Sequence, residues 1–185
     1  LKLTEIVRSS PAFMATLRAG RALGLASWCI GAGALRNLVW DHLHGHAAPT
    51  RPADVDFAYF CDRDLSAGRD QALQQKLTAL CPGVPWEVTN QAGVHLWFEA
   101  CFGHAVAPLH SLEDAIASWP EPATAVGVWL DEADALHVIA PHGLADLLGM
   151  RIRRNPVRVS VETYRQRCES KRYVERWPRA VVEPA

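Results

Sequence analysis

No stretch of this 185-residue chain approaches the roughly 18 consecutive apolar residues of a membrane-spanning helix. Its opening Leu1-Lys2-Leu3-Thr4-Glu5 also lacks the apolar core of a signal peptide, so a soluble chain is expected. Cysteine is sparse. Cys29, Cys61, Cys81, Cys101 and Cys168 make an odd set without C-x-x-C spacing, which argues against a zinc ribbon, a dithiol redox pair or a disulfide scaffold. Mostly apolar neighbours suggest core thiols in a reducing compartment, and a cytoplasmic location is expected. There is no internal repeat and no low-complexity segment. With 49% hydrophobic residues, the length suits one well-buried globular domain and is short for two.

Net charge is also nearly absent, at −1, but its halves are unequal. Residues 151–185 hold 10 Lys and Arg against 4 Asp and Glu, while residues 1–150 hold 9 against 16. This division predicts an acidic core over 1–150 and a basic C-terminal extension over 151–185, packed on the same domain. Arg165, Lys171 and Arg172 are the residues expected to wall the acidic site. Aromatics are sparse in the extension and no RNA-binding motif is visible, so nucleic-acid binding is the minority reading.

Hydrophobic spacing and breakers give an α/β (α+β) pattern. A helix is expected over 11–23, a buried strand over 27–30, a helix from 34 to 44, a loop over 45–53 and a strand over 55–60. A helix over 67–80 follows, with strands over 84–89 and 94–98. A short helix from 111 stops at Trp119-Pro120. A hairpin pairs 123–130 with 135–140, a short helix covers 143–149 and a terminal helix covers 160–177. The expected architecture is a small mixed sheet flanked by helices, with a helical C-terminus.

The chemistry concentrates where Ile30-Gly31-Ala32-Gly33-Ala34-Leu35-Arg36-Asn37 precedes Asp54-Val55-Asp56. Side chains repeat with period 2 in a strand, so Asp54 and Asp56 project from one face, and two such carboxylates repel unless a cation lies between them. A glycine turn opening a helix offers backbone amides to phosphates. Together these are parts of a phosphoryl-transfer site. A Rossmann reading fits poorly, because Arg36 stands where the third glycine of G-x-G-x-x-G belongs and the acids open the second strand. His42-x-His44-x-His46 straddles a helix end with no cysteine nearby, which favours a solvated histidine cluster over a metal site. His95, beside Asn90 and Gln91, is a further functional candidate.

The glycine turn followed by Asp-x-Asp resembles the signature of the polymerase-β-type nucleotidyltransferase superfamily, and is similar to CCA-adding enzymes, where Gly-Gly and Arg-Asp precede Asp-x-Asp. Several further segments, in order, resemble a bacterial nucleotidyltransferase-like family long regarded as a domain of unknown function. They are Trp86 to Gln91, His95 to Phe98, Trp119 to Val128 and Lys171 to Pro178, and the resemblance runs from about Phe13 to Arg179.

It implies a nucleotidyltransferase fold and transfer of a nucleoside monophosphate from an NTP to a hydroxyl acceptor, with release of pyrophosphate. Asp54 and Asp56 are implied as catalytic ligands of Mg²⁺ or Mn²⁺, and Glu87 as the third catalytic carboxylate, with Glu99 as the second choice. Gly31, Gly33, Arg36 and Asn37 are the implied nucleotide-binding residues. The turn departs from the pattern by placing Ala32 where relatives often have Gly or Ser. A catalytically silent nucleotide-binding or interaction module of the same fold is the alternative. The acceptor and the identity of the NTP are not legible.

Overall fold

Ser10 begins the first long helix by accepting the Phe13 N–H on its hydroxyl at 3.2 Å, with Pro11 in the first turn, where no amide partner is needed. The computed structural model describes residues 2–185. In chain order the elements are α1 (Lys2–Arg8), α2 (Pro11–Arg21), β1 (Trp28–Gly31), α3 (Ala32–His44), β2 (Val55–Tyr59), α4 (Ala67–Leu80) and β3 (Trp86–Asn90). A 3₁₀ turn over Gln91–Leu96 leads to α5 (Phe98–Phe102), α6 (Leu112–Ala117), β4 (Gly127–Leu130), β5 (Leu136–Ile139) and α7 (Ala145–Leu148). The chain ends in β6 (Arg151–Ile152), α8 (Val161–Lys171), α9 (Tyr173–Arg176) and β7 (Val181–Val182).

The main sheet has the order β3-β2-β1-β4-β5, with β2 and β3 parallel and the other neighbours antiparallel. This is the expected mixed sheet flanked by helices. β1 is buried at every position because helices cover one face and the α6 region lies against the other, which explains its unbroken apolar run. Trp28 stacks on Phe57 at 5.4 Å and anchors β1 to β2. Short β6 and β7 form a separate parallel pair.

Several expectations are corrected. Val94 to Phe98 alternates like a strand but forms the end of the 3₁₀ turn and the start of α5, because the Asn90 side chain caps the turn. Asn90 Oδ1 accepts the N–H groups of Ala92 and Cys61, while its amide group donates to the carbonyls of Cys61 and Asp64. The terminal helix is broken at Arg172, which has φ 49 and caps α8. The first hairpin strand starts at Gly127, after a turn held by Thr124 and Ala125 N–H bonds to the Glu121 carbonyl. The helix α1 had no expected counterpart.

The C-terminal segment shares the main core. Tyr164, Tyr173 and Trp177 belong to the same buried cluster as Ile30, Phe57 and Val128. Trp177 meets Trp40 of α3 edge-on at 5.3 Å, and its indole N–H donates to Asp41 at 2.8 Å. Asp41 also accepts the Thr50 N–H at 2.6 Å and hydroxyl at 2.7 Å, and bonds His46 at 2.9 Å. One buried carboxylate thus fastens the loop before Asp54 and the C-terminal segment to the same helix.

Gly31 is required by close approach. It pairs with Gly127 of β4, and a Cβ there would stand 2.3 Å from the Val126 carbonyl oxygen and 3.0 Å from the Gly127 Cα. Gly31→Ala is expected to force β1 from β4 at a cost of about 1–3 kcal/mol, or roughly 3–10 °C in melting temperature. An unchanged thermal melt would show that the two strands separate freely.

Candidate active site

The foot of the site is set by strand register. In the parallel pair, Asp56 of β2 lies beside Glu87 of β3, and Asp54 immediately precedes β2. Each of Asp54, Asp56 and Glu87 can present a carboxylate oxygen within 4.8 Å of the others. In the antiparallel pair Ile30 faces Phe57, which brings the glycine-turn end of β1 beside the Asp56 end of β2. The two aspartates therefore share a cleft of about 380 Å³ with Ala32 and Gly33.

Electrostatics follow from this crowding. Burial and the neighbouring charges of Asp54 and Glu87 push the Asp56 carboxyl up to about 7, although Lys171 and Arg167 oppose the shift. Burial, the Asp54 charge and a hydrogen bond with Asp54 likewise raise Glu87. The three crowded carboxylates form a hard oxygen set suited to Mg²⁺ or Mn²⁺.

Above them, the turn aims helix α3 at the cleft. Gly31 has no side chain to cap the helix, the first turn holds no acid, and Ala32 and Gly33 line the opening. The Ala32 N–H is committed to the Val126 carbonyl at 3.2 Å. Ala32 has φ 51, a left-handed conformation that costs an L-residue roughly 1–2 kcal/mol. Backbone strain thus sits at the turn that faces the carboxylates.

Arg36 also lines the cleft, yet it is only 3% exposed. Its guanidinium lies over Tyr173 at 5.1 Å, Trp177 at 5.2 Å and Trp40 at 5.7 Å, donates to Asn37 Oδ1 at 2.8 Å, and leaves Nε buried without a partner. Burial lowers its pKa. An aromatic cage near the turn therefore holds a cation that no carboxylate among the described residues bonds directly.

Other candidates lie elsewhere. Gly31 sits behind the turn against β4, and Asn37 lines a separate hollow with Asp41 and Thr50. Glu99 is an exposed residue of α5 that does not line the cleft. His95 belongs to the 3₁₀ turn, with Nδ1 buried and unbonded. At the end of α3, His42 and His46 are exposed and His44 is half-buried, as expected of a solvated cluster, and His44 and His46 bond the Trp40 carbonyl and Asp41, respectively.

The far wall comes from the C-terminal segment. Thr163, Arg167 and Lys171, spaced by four on α8, line the cleft together with Arg158 and Val159. Of the expected wall, Lys171 is in place, whereas Arg165 points to solvent and Arg172 pairs with Glu175. Sequence reasoning missed Thr163 and, within the basic extension, did not single out Arg158 and Arg167, although the i, i+4 spacing of Thr163, Arg167 and Lys171 carried the signal. It also missed Trp97, Phe98, Phe102 and Trp119, which form an apolar end to the cleft.

A strand, a glycine turn into a helix and a carboxylate triad across two parallel strands define a polymerase-β-type nucleotidyltransferase fold. The chain belongs to the nucleotidyltransferase family whose model matches residues 18–182. A solved protein whose NMR structure is described as revealing a CCA-adding enzyme head domain is 30% identical, with a TM-score of 0.79 over 98% of this chain and 96% of that one. No curated protein matches the chain. Among the described residues, no helix is long and apolar enough to cross a membrane.

Proposed function

We propose that the protein is a metal-dependent nucleotidyltransferase that transfers a nucleoside monophosphate from an NTP to a hydroxyl acceptor. The observation that carries this reading is the convergence of Asp54, Asp56 and Glu87 beneath an uncapped helix N-terminus in a chain of this family. Asp54 and Asp56 would hold Mg²⁺ or Mn²⁺, with Glu87 beside them. A divalent ion bound there neutralises phosphate charge and makes a nearby hydroxyl more acidic.

The protein's own groups account for the rest. Amides at the start of α3 bind phosphate oxygens, and the caged Arg36 adds positive charge without the entropy cost of ordering a free side chain. Lys171 and Arg167 balance the triad from the opposite wall. The acceptor oxygen attacks the α-phosphorus, the bond to the β-phosphate bridging oxygen breaks, and pyrophosphate leaves. Glu87, beside both aspartates, takes the acceptor proton.

Labelled NTPs incubated with Mg²⁺ or Mn²⁺, with pyrophosphate and nucleotidylated products followed by mass spectrometry, test the assignment. Metal-dependent NTP binding without pyrophosphate release across acceptor classes would assign the silent alternative instead. The basic wall gives a second test. Lys171→Gln is expected to weaken Mg²⁺–NTP binding several-fold at low salt, with the loss shrinking towards 1 M salt, where the screening length is about 3 Å. The Arg165→Gln/Arg172→Gln double variant should bind like the parent. A salt-independent loss for Lys171→Gln would remove charge from the explanation.

A further inference from the structure

The cleft has two chemically different ends. Lys171 acts on Asp56 and Glu87 at one end, while Thr163, two turns earlier on the same face of α8, reaches the other. These helix positions are about 12 Å apart, at 1.5 Å per residue. Trp97, Phe98, Phe102 and Trp119 line the same cleft, and Phe98 and Trp119 are tied to the segment leading into α8 through Arg158 and Asn155. Trp97 is 43% exposed and Phe102 is 50% exposed, although they flank the buried Phe98 at ring distances of 6.3 Å and 4.5 Å. Arg158 lies over Phe98 at 5.6 Å.

Two large rings left partly in water inside a cleft have available π-faces. Three of the polar groups nearby already have partners. Gln91 Oε1 accepts the Trp119 indole N–H at 3.4 Å, the Ser118 hydroxyl donates to the Ala115 carbonyl, and the Thr163 hydroxyl takes the Ser160 hydroxyl proton. This end therefore suits a flat ring held by stacking, with little reading of its edges.

We propose that Trp97 and Phe102 form a stacking platform for the nucleobase of the bound NTP, accepting purines and pyrimidines alike. This rests on the nucleotidyltransferase reading. The separation along α8 is comparable to the length of a nucleoside monophosphate, so an α-phosphate at the carboxylates carries its base to the aromatic end. The platform supplies base-tolerant affinity, while the triad, the turn and Lys171 hold the phosphates.

Calorimetric titration of the full chain in Mg²⁺, using each of the four common NTPs and inorganic triphosphate as probes, tests this. Both rings are exposed, so Trp97→Ala and Phe102→Ala should fold, as judged by thermal melts. Trp97→Ala should raise the Kd of every NTP roughly tenfold, the size of one lost base–ring stack, and leave that of inorganic triphosphate unchanged. Phe102→Ala should do the same more weakly, and Trp97→Phe should restore most of the affinity. Unchanged NTP binding in both alanine variants overturns the platform while leaving the transferase reading standing. A parent chain that binds neither NTP nor inorganic triphosphate overturns both, and a loss confined to one NTP overturns base tolerance.

Discussion

Asp54→Asn combined with Asp56→Asn is expected to abolish Mg²⁺-dependent NTP binding and to yield a protein that melts higher than the parent in metal-free buffer at pH 8. The two effects share a cause. The folded chain crowds three carboxylates, so ionising Asp56 costs free energy that the unfolded chain does not pay. Its folded pKa of about 7 lies above the unfolded value near 4, so the folded state holds its proton more tightly. Metal-free stability of the parent is therefore greatest below pH 4 as far as this group is concerned, and is lost as pH rises from about 4 to 7.

A shift of that size is worth up to about 4 kcal/mol, or roughly 10 °C of melting temperature, and the double variant should show a flat profile across that window. Mg²⁺ should reverse the order by stabilising the parent at pH 8 and leaving the variant unchanged. Melting curves at pH 5 and 8, with and without Mg²⁺, together with NTP titrations, provide the measurement. Retained Mg²⁺–NTP affinity in the double variant would remove the triad from the site.

The parts of this site contributed by local sequence were legible in it. Gly31 to Gly33, the period-2 aspartates and the apolar stripe of α3 each announce a turn, a shared strand face and a helix within a few residues. The parallel register that puts Glu87 beside Asp56 joins residues 31 positions apart, and a single sequence left Glu87 and Glu99 as alternatives. The misread strand over 94–98 has a similar origin. Its alternation is genuine, but Asn90 redirects the chain through bonds to Cys61 and Asp64, which periodicity does not record. The role of Asp41 and the aromatic cage around Arg36 escaped for the same reason, since Trp177 and Tyr173 lie more than 130 positions downstream.

The same long-range logic singles out Glu121, which lies in the Trp119 to Val128 resemblance segment but had no role assigned there. Its side chain is wholly buried beneath the cleft wall, where Oε1 accepts Arg167 Nε–H at 2.8 Å and Oε2 accepts a second guanidinium N–H at 3.1 Å. The Thr124 hydroxyl donates to Oε2 at 2.9 Å. This pair ties α8 to the segment leading into β4, so it sets the position of Thr163 and Lys171 over the sheet. Breaking a buried pair from one side strands the other charge, at a cost of about 3–5 kcal/mol.

The cost should be unequal. Arg167→Ala leaves a carboxylate with no exposure, whereas Glu121→Ala leaves a guanidinium that is 29% exposed and retains some water. Arg167→Ala should therefore be at least as destabilising as Glu121→Ala, with each lowering the melting temperature by roughly 6–20 °C. Glu121→Ala/Arg167→Ala should cost less than the sum of the singles, because neither charge is then left alone. Chemical denaturation of all four proteins measures the coupling. Strict additivity, or a Glu121→Ala melt like that of the parent, would mean that packing by Tyr164, Tyr173 and Trp177 holds the C-terminal segment without this pair.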